Sequence, residues 1–98
     1  MAIEKYTEEN KMTIRACGRL DAVTSPELGE ILQAIPADLT ELVFDLSGLE
    51  YISSAGLRQL RVAQKQMNKQ GKMYVEGAGG QVLEVFAASG FDKILTLR

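Results

Sequence analysis

The run Leu42-Val43-Phe44-Asp45-Leu46, followed after a short connection by the stretch Ser54 to Gln70, constrains this chain most. A nearly unbroken apolar run marks a strand covered on both faces, as parallel strands are when helices cross over them. In the following stretch Leu57, Leu60, Ala63 and Met67 fall on one stripe, the signature of an amphipathic helix. Arg58, Arg61, Lys65, Lys69 and several glutamines fill its remaining surface, and Gly71 is placed to end it. A buried strand that feeds a long helix calls for a right-handed crossover and an α/β fold.

The rest of the chain extends this pattern. Ile3 to Thr7 reads as a short first strand, with Glu8, Glu9 and Asn10 as a polar turn. Met12, Ile14 and Ala16 alternate with Lys11, Thr13 and Arg15, the period of a strand with one wet face, and Gly18 is read as its end. "TSPELGEILQAI" opens like a helix. Thr24 and Glu27 fit a capping box, or Ser25 caps with Pro26 at the first helical position. Leu28, Ile31, Leu32 and Ile35 form its stripe, and Pro36 closes it. "KMYVEG" predicts another strand, "GGQVLEVFAASG" a shorter helix and "KILTL" a last strand. The predicted order is ββαβαβαβ, with four to five strands in a mixed, mostly parallel sheet and helices packed against it. The 98 residues make one domain, 1–98, being too short for two cores. Function in such sheets gathers beyond the C-terminal ends of strands. Two loops are placed there, Gly18 to Ser25 and Ser47 to Ser54.

Composition excludes several chemistries. There is no histidine, so neither a Ser-His-Asp nor a Cys-His nucleophile can be assembled within the chain. A single cysteine, Cys17, permits no intrachain disulfide and no cysteine-rich zinc site; a reducing, cytoplasmic location follows as the default. The net charge is -2 and the basic residues are scattered, which gives no footprint for nucleic acid. No apolar run is long enough to insert in a membrane. The carboxylates leave acid-base or Mg²⁺ chemistry open, so an enzyme is disfavoured by these absences without being excluded.

The candidate residues each have a structural alternative. Ser53 and Ser54 stand where strand should become helix, the usual place of an N-cap serine. The same place suits a phosphoryl group, because a helix N-terminus offers free amide donors and a positive dipole end. Asp21 and Asp45 are solvated loop carboxylates on the simplest view; as a pair flanking a hydroxyl they could position it or hold a kinase-bound metal. Gly77, Gly79 and Gly80 lack the spacing of a phosphate loop and fit a flexible turn better. Cys17 reads as a small core residue. Arg58 and Arg61 read as a solvated face, one turn past the serines and available to a docking surface.

"GRLDAVTSPEL", "LVFDLSGLEYISSAGLRQL" and "EVFAASGFDKI" together resemble the STAS domain, and in particular the bacterial anti-sigma-factor antagonists. The resemblance spans nearly the whole chain, and its central element, D-L-S-x-L-x-x-[ILM]-x-S-x-G-L, is the most specific. It implies a mixed sheet with packed helices. It also implies that Ser54, two residues before Gly56-Leu57, is a phosphorylation site. Partner binding would involve Asp21, Ser53, Ser54, Gly56, Leu57 and Arg58. The implied partner is an anti-sigma factor that is also a GHKL-type serine kinase. It is bound when Ser54 is free and released on phosphorylation, and a PP2C-type phosphatase resets the switch. The resemblance implies a monomer when free, no cofactor, no metal and no catalysis of the chain's own. Ser53 departs from the pattern, standing where aspartate is common, and Ala55 replaces a frequent second hydroxyl. Two other functions remain open on sequence: a constitutive STAS module docking on an ABC-transporter ATPase, and a small nucleotide-binding domain using the glycine loop.

Overall fold

The alternating segment after Asn10 becomes the central strand of the sheet. In a computed structural model, which describes residues 2–98, the elements are β1 (Ala2–Glu8), β2 (Lys11–Leu20), α1 (Ser25–Gln33), β3 (Glu41–Asp45), β4 (Leu49–Ile52), α2 (Ser54–Gln70), β5 (Lys72–Glu76) and α3 (Gly80–Ser89). A single 3-10 turn follows at Phe91–Lys93. β1 pairs antiparallel with β2, β2 parallel with β3, and β3 parallel with β5. The mixed, mostly parallel sheet expected from the strand-helix alternation is therefore the one observed.

One face of that sheet carries the core. Met12, Ile14 and Ala16 of β2, Leu42 and Phe44 of β3, and Met73 and Val75 of β5 are buried together. Leu28 and Leu32 of α1, Leu57, Leu60 and Met67 of α2, and Val82 and Phe86 of α3 close over them. Burying these stripes is the main favourable term, at roughly 25 cal/mol per Å² of apolar surface removed from water. The opposite face carries cross-strand charge. The register places Glu4, Arg15 and Asp45 in one row across β1, β2 and β3. Arg15 lies 3.9 Å from Glu4 and 4.0 Å from Asp45.

Two elements differ from the sequence reading. Gly18 does not end β2. It takes φ 86, a conformation open to glycine, and β2 runs on to Leu20. The extension exists because it has a second partner. "LEYI", read as loop, forms β4 and pairs parallel with β2 from Gly18 to Leu20, with a register slip between Gly18 and Arg19. β3 and β4 thus share one edge of β2 in succession. The second difference is at the C-terminus. The expected strand "KILTL" is reduced to one parallel bridge between Leu97 and Val75. The 3-10 turn consumes its first residues: Ile94 and Leu95 both donate N–H bonds back to the Phe91 carbonyl.

The β4 assignment has a direct test. Glu50 is exposed and Ile52 is buried at 2% exposure. Ile52→Ala is expected to cost about 2–5 kcal/mol in urea unfolding, and Glu50→Ala to stay within about 0.5 kcal/mol. Equal small effects would show that the segment is a surface loop.

Candidate functional site

The site is built where β2 ends. The Leu20 carbonyl accepts the Ser53 N–H at 2.9 Å, and Leu20 pairs with Ile52 at the end of β4. This fixes the head of α2 against the end of β2. Gly56 makes the approach possible: a Cβ there would stand 2.8 Å from the Leu20 carbonyl oxygen and 2.8 Å from Ile52 Cγ1. Leu57 follows it into the core at 8% exposure. Both belong to the site by holding its backbone, with no accessible side chain to offer.

The two serines separate. Ser53 occupies the N-cap position with extended backbone, φ -97 and ψ 177, and its carbonyl accepts the Leu57 N–H at 2.9 Å. Its hydroxyl makes no capping bond; Oγ is buried without a hydrogen-bond partner. The serine cap anticipated from the sequence is therefore not formed. Ser54, the first helical residue, is exposed. The first-turn amides of α2 have no side-chain acceptor, and no acidic residue lies in that turn. An anion attached to Ser54 would meet both the free donors and the positive end of the dipole.

Asp21 stands next to Leu20 and thus beside this helix head. Its Oδ1 accepts the backbone N–H groups of Val23 at 3.0 Å and Thr24 at 3.2 Å. The Asp21 N–H in turn donates to Thr24 Oγ1 at 2.9 Å, and the Asp21 carbonyl accepts the Ser25 N–H at 2.8 Å. Neither cap expected for α1 is present. Thr24 holds the N-cap position but spends its hydroxyl on Asp21 and on the Arg19 carbonyl, 2.8 Å away, and Ser25 Oγ is buried without a partner. Pro26 lies in the first turn of the helix, at its second residue, one position later than expected. Bonding to the Thr24 amide, the largest effect, holds the Asp21 carboxyl below the usual carboxylate range. Arg19 adds to this from 3.8 Å and stacks over the Tyr51 ring at 4.2 Å.

Asp45 does not join Asp21. It faces Arg15 on the open face of the sheet and accepts the Ser47 N–H at 3.0 Å, which lowers its pKa. Arg15 precedes Asp21 by six residues, five of them leading to the end of β2 at Leu20, a span of at most about 20 Å at ~3.3 Å per residue. The idea of two aspartates flanking one hydroxyl is thereby corrected: parallel pairing of β3 stops short of the site, and β4 takes its place. Arg58 is exposed, one turn beyond Ser54, and has no ion-pair partner among the described residues. The stretch Gly77 to Gly80 is the turn from β5 into α3, with Gly79 at the N-cap position. Arg19, Tyr51 and Thr24 were missed by sequence reasoning. Arg19 and Tyr51 are paired across β2 and β4, so their relation was hidden once β4 was read as a loop. Val23, 86% exposed at the tip of the Asp21 turn, was missed as well.

Residues 2–98 match the STAS domain. The chain belongs to the STAS domain family. It is 27% identical over 95 residues to an anti-sigma-B factor antagonist of Staphylococcus aureus, covering 95% of this chain and 88% of that one. It is 31% identical over 81 residues to an anti-sigma-F factor antagonist of Mycobacterium tuberculosis, covering 82% and 66% respectively. The crystal structure of an anti-sigma factor antagonist from Mycobacterium paratuberculosis superposes with a TM-score of 0.87 at 26% identity, covering 98% of this chain and 83% of that one. The STAS architecture thus accounts for both the mixed sheet and the placement of the α2 head beside the β2 end. No helix among the described residues is long and apolar enough to cross a membrane.

Two outcomes are expected. Gly56→Ala should cost about 1–3 kcal/mol by forcing α2 off Leu20, read by chemical denaturation. An unchanged midpoint would contradict the close approach. Asp21 has a lowered folded-state pKa, so its contribution is complete above the ordinary carboxylate value of 3.8 and is lost as pH falls through the lower folded value. Thermal midpoints measured from neutral to acid pH should therefore fall less steeply for Asp21→Asn than for wild type in that window. Parallel curves would refute a stabilising role for the Asp21 bonds to Val23 and Thr24.

Proposed function

We propose that this STAS domain is an anti-sigma-factor antagonist of a partner-switching pathway. In its unphosphorylated form it binds an anti-sigma factor that is also a GHKL-type serine kinase. That kinase phosphorylates Ser54 and loses its grip, and a PP2C-type phosphatase removes the phosphoryl group. The reading rests on relatives named as antagonists along most of the chain, and on one local observation. Of the adjacent serines, Ser54 is the exposed one, while the Ser53 hydroxyl is enclosed.

The physical switch is one of charge. Phosphorylation adds roughly two negative charges at the head of α2, a position that tolerates them without melting the helix. The docking face changes while the fold does not. Asp21, Ser54 and Arg58 form the accessible part of that face; Ser53 borders it; Gly56 and Leu57 set its backbone. Asp21 is already committed to the Thr24 and Val23 amides, so its main contribution is to shape the loop that carries Val23. The chain supplies an acceptor hydroxyl and leaves the phosphoryl chemistry to its partner.

Incubation with the cognate kinase and ATP, followed by peptide mass mapping, should place one phosphate on Ser54 and none on Ser53. Ser54→Asp should weaken partner binding tenfold or more, about 1.4 kcal/mol, with an unchanged circular dichroism spectrum. Full-affinity binding by Ser54→Asp in calorimetry would dispose of the switch.

A further inference from the structure

The exposed face of α2 is charged with one sign only. Ser54, Arg58, Arg61, Val62, Lys65 and Lys69 are its exposed positions of consequence, and the helix contains no aspartate or glutamate. The chain as a whole is net negative, so this is a local excess and not a general property. Lys11, Arg15, Arg19 and Arg98 each have a carboxylate within 4.0 Å, whereas none of the α2 cations does among the described residues. Arg58 is four residues after Ser54. On a helix that spacing puts two side chains on one face with Cβ atoms roughly 5–6 Å apart. An anion N-terminal to a cation is the favoured orientation of such a pair. Arg61 lies almost two turns away from Ser54, and Lys65 beyond that.

We infer that Arg58 is the binding residue for the phosphoryl group carried by Ser54, closing on it as an intrahelical clamp. The inference rests on the assignment of Ser54 as the modified residue. A guanidinium presents a planar fork of donors that matches two phosphate oxygens at once. The amides at the start of α2 carry no side-chain cap, and a helix N-terminus favours the same group. Nothing has to be displaced, because Arg58 is unpaired before modification. The clamp makes one covalent event do two things to the docking face. It places an anion there, and it withdraws an exposed cation one helical turn away from any carboxylate on the partner. The neighbouring groups set the background. Asp21, on the adjoining loop, opposes the dianion and is itself held by Arg19. Glu27 and Glu30 lie on α1, whose Gly29 packs against Gln59 of α2.

The test needs neither kinase nor partner. Phosphoserine is installed at position 54 during translation, and its ³¹P resonance is followed against pH at low ionic strength. The Nε–H resonances of the arginines are followed in the same samples. In the wild-type background the second phosphate pKa should lie about 0.3–0.5 units below its value in Arg58→Gln. The Arg58 Nε–H should shift with the same midpoint. Arg58→Lys, which keeps the charge without the fork, should recover only part of the lowering, and Arg61→Gln should leave it unchanged. Equal values in wild type and Arg58→Gln would overturn the clamp. So would an Arg61→Gln effect as large as that of Arg58→Gln, which would mean a diffuse field and no specific pair. A failure here leaves the kinase assay on Ser54 untouched. A failure of that assay leaves the titration interpretable, because the phosphate is supplied synthetically.

Discussion

The bond from the Ser53 N–H to the Leu20 carbonyl is the joint on which the site depends. It ties the first turn of α2 to the last residue of β2. On one side of it Asp21 begins the loop to α1; on the other, Ser54 begins the helix. At this approach a side chain in the third position of the helix would collide with the backbone of Leu20. Gly56 removes that collision, leaving Leu20, Ile52 and Leu57 to pack around the gap. The consequence is an exposed hydroxyl at a rigid place, with unsatisfied amides behind it.

The succession of β3 and β4 along one edge of β2 explains why that joint is where it is. β3 alone pairs only as far as Arg15 and Asp45. Without β4, the chain after β3 would enter its helix five residues short of the β2 end. β4 carries the chain forward by its own length before α2 starts. The charged row Glu4, Arg15 and Asp45 then belongs to the open face of the sheet, and the Arg19, Tyr51 and Asp21 group belongs to the site. Two aspartates at strand ends came to serve different partners. Both have lowered pKa values for the same reason, backbone amides directed at the carboxylate.

Much of the fold was legible. The α2 boundaries, Ser54 and Gln70, follow from a long stripe with clear ends, and the body of β2, though not its end, from alternation. The errors fell on short segments. "LEYI" has two buried ends around Glu50 and Tyr51, a pattern shared by many loops, and only its pairing with β2 makes it a strand. "KILTL" has good strand composition, yet local 3-10 bonds claimed half of it before pairing could begin. Capping was the other blind spot. Thr24, Ser25 and Ser53 all have the chemistry of caps, but a side-chain oxygen must also be aimed at a free amide. Asp21 had taken the amides ahead of α1, and the Ser53 hydroxyl is turned into the protein.

The sequence by itself determined the fold class, the STAS resemblance, the place of two adjacent serines at a helix head and the absence of a histidine-assisted nucleophile. Periodicity, residue type and motif spacing are local properties, and they suffice for those conclusions. Only the tertiary structure decided which serine is exposed, which aspartate stands beside it and which cations lack a partner. Those depend on register. A parallel strand of four residues, held by its pairing to β2, moves every later residue along the sheet, and no local pattern encodes that displacement.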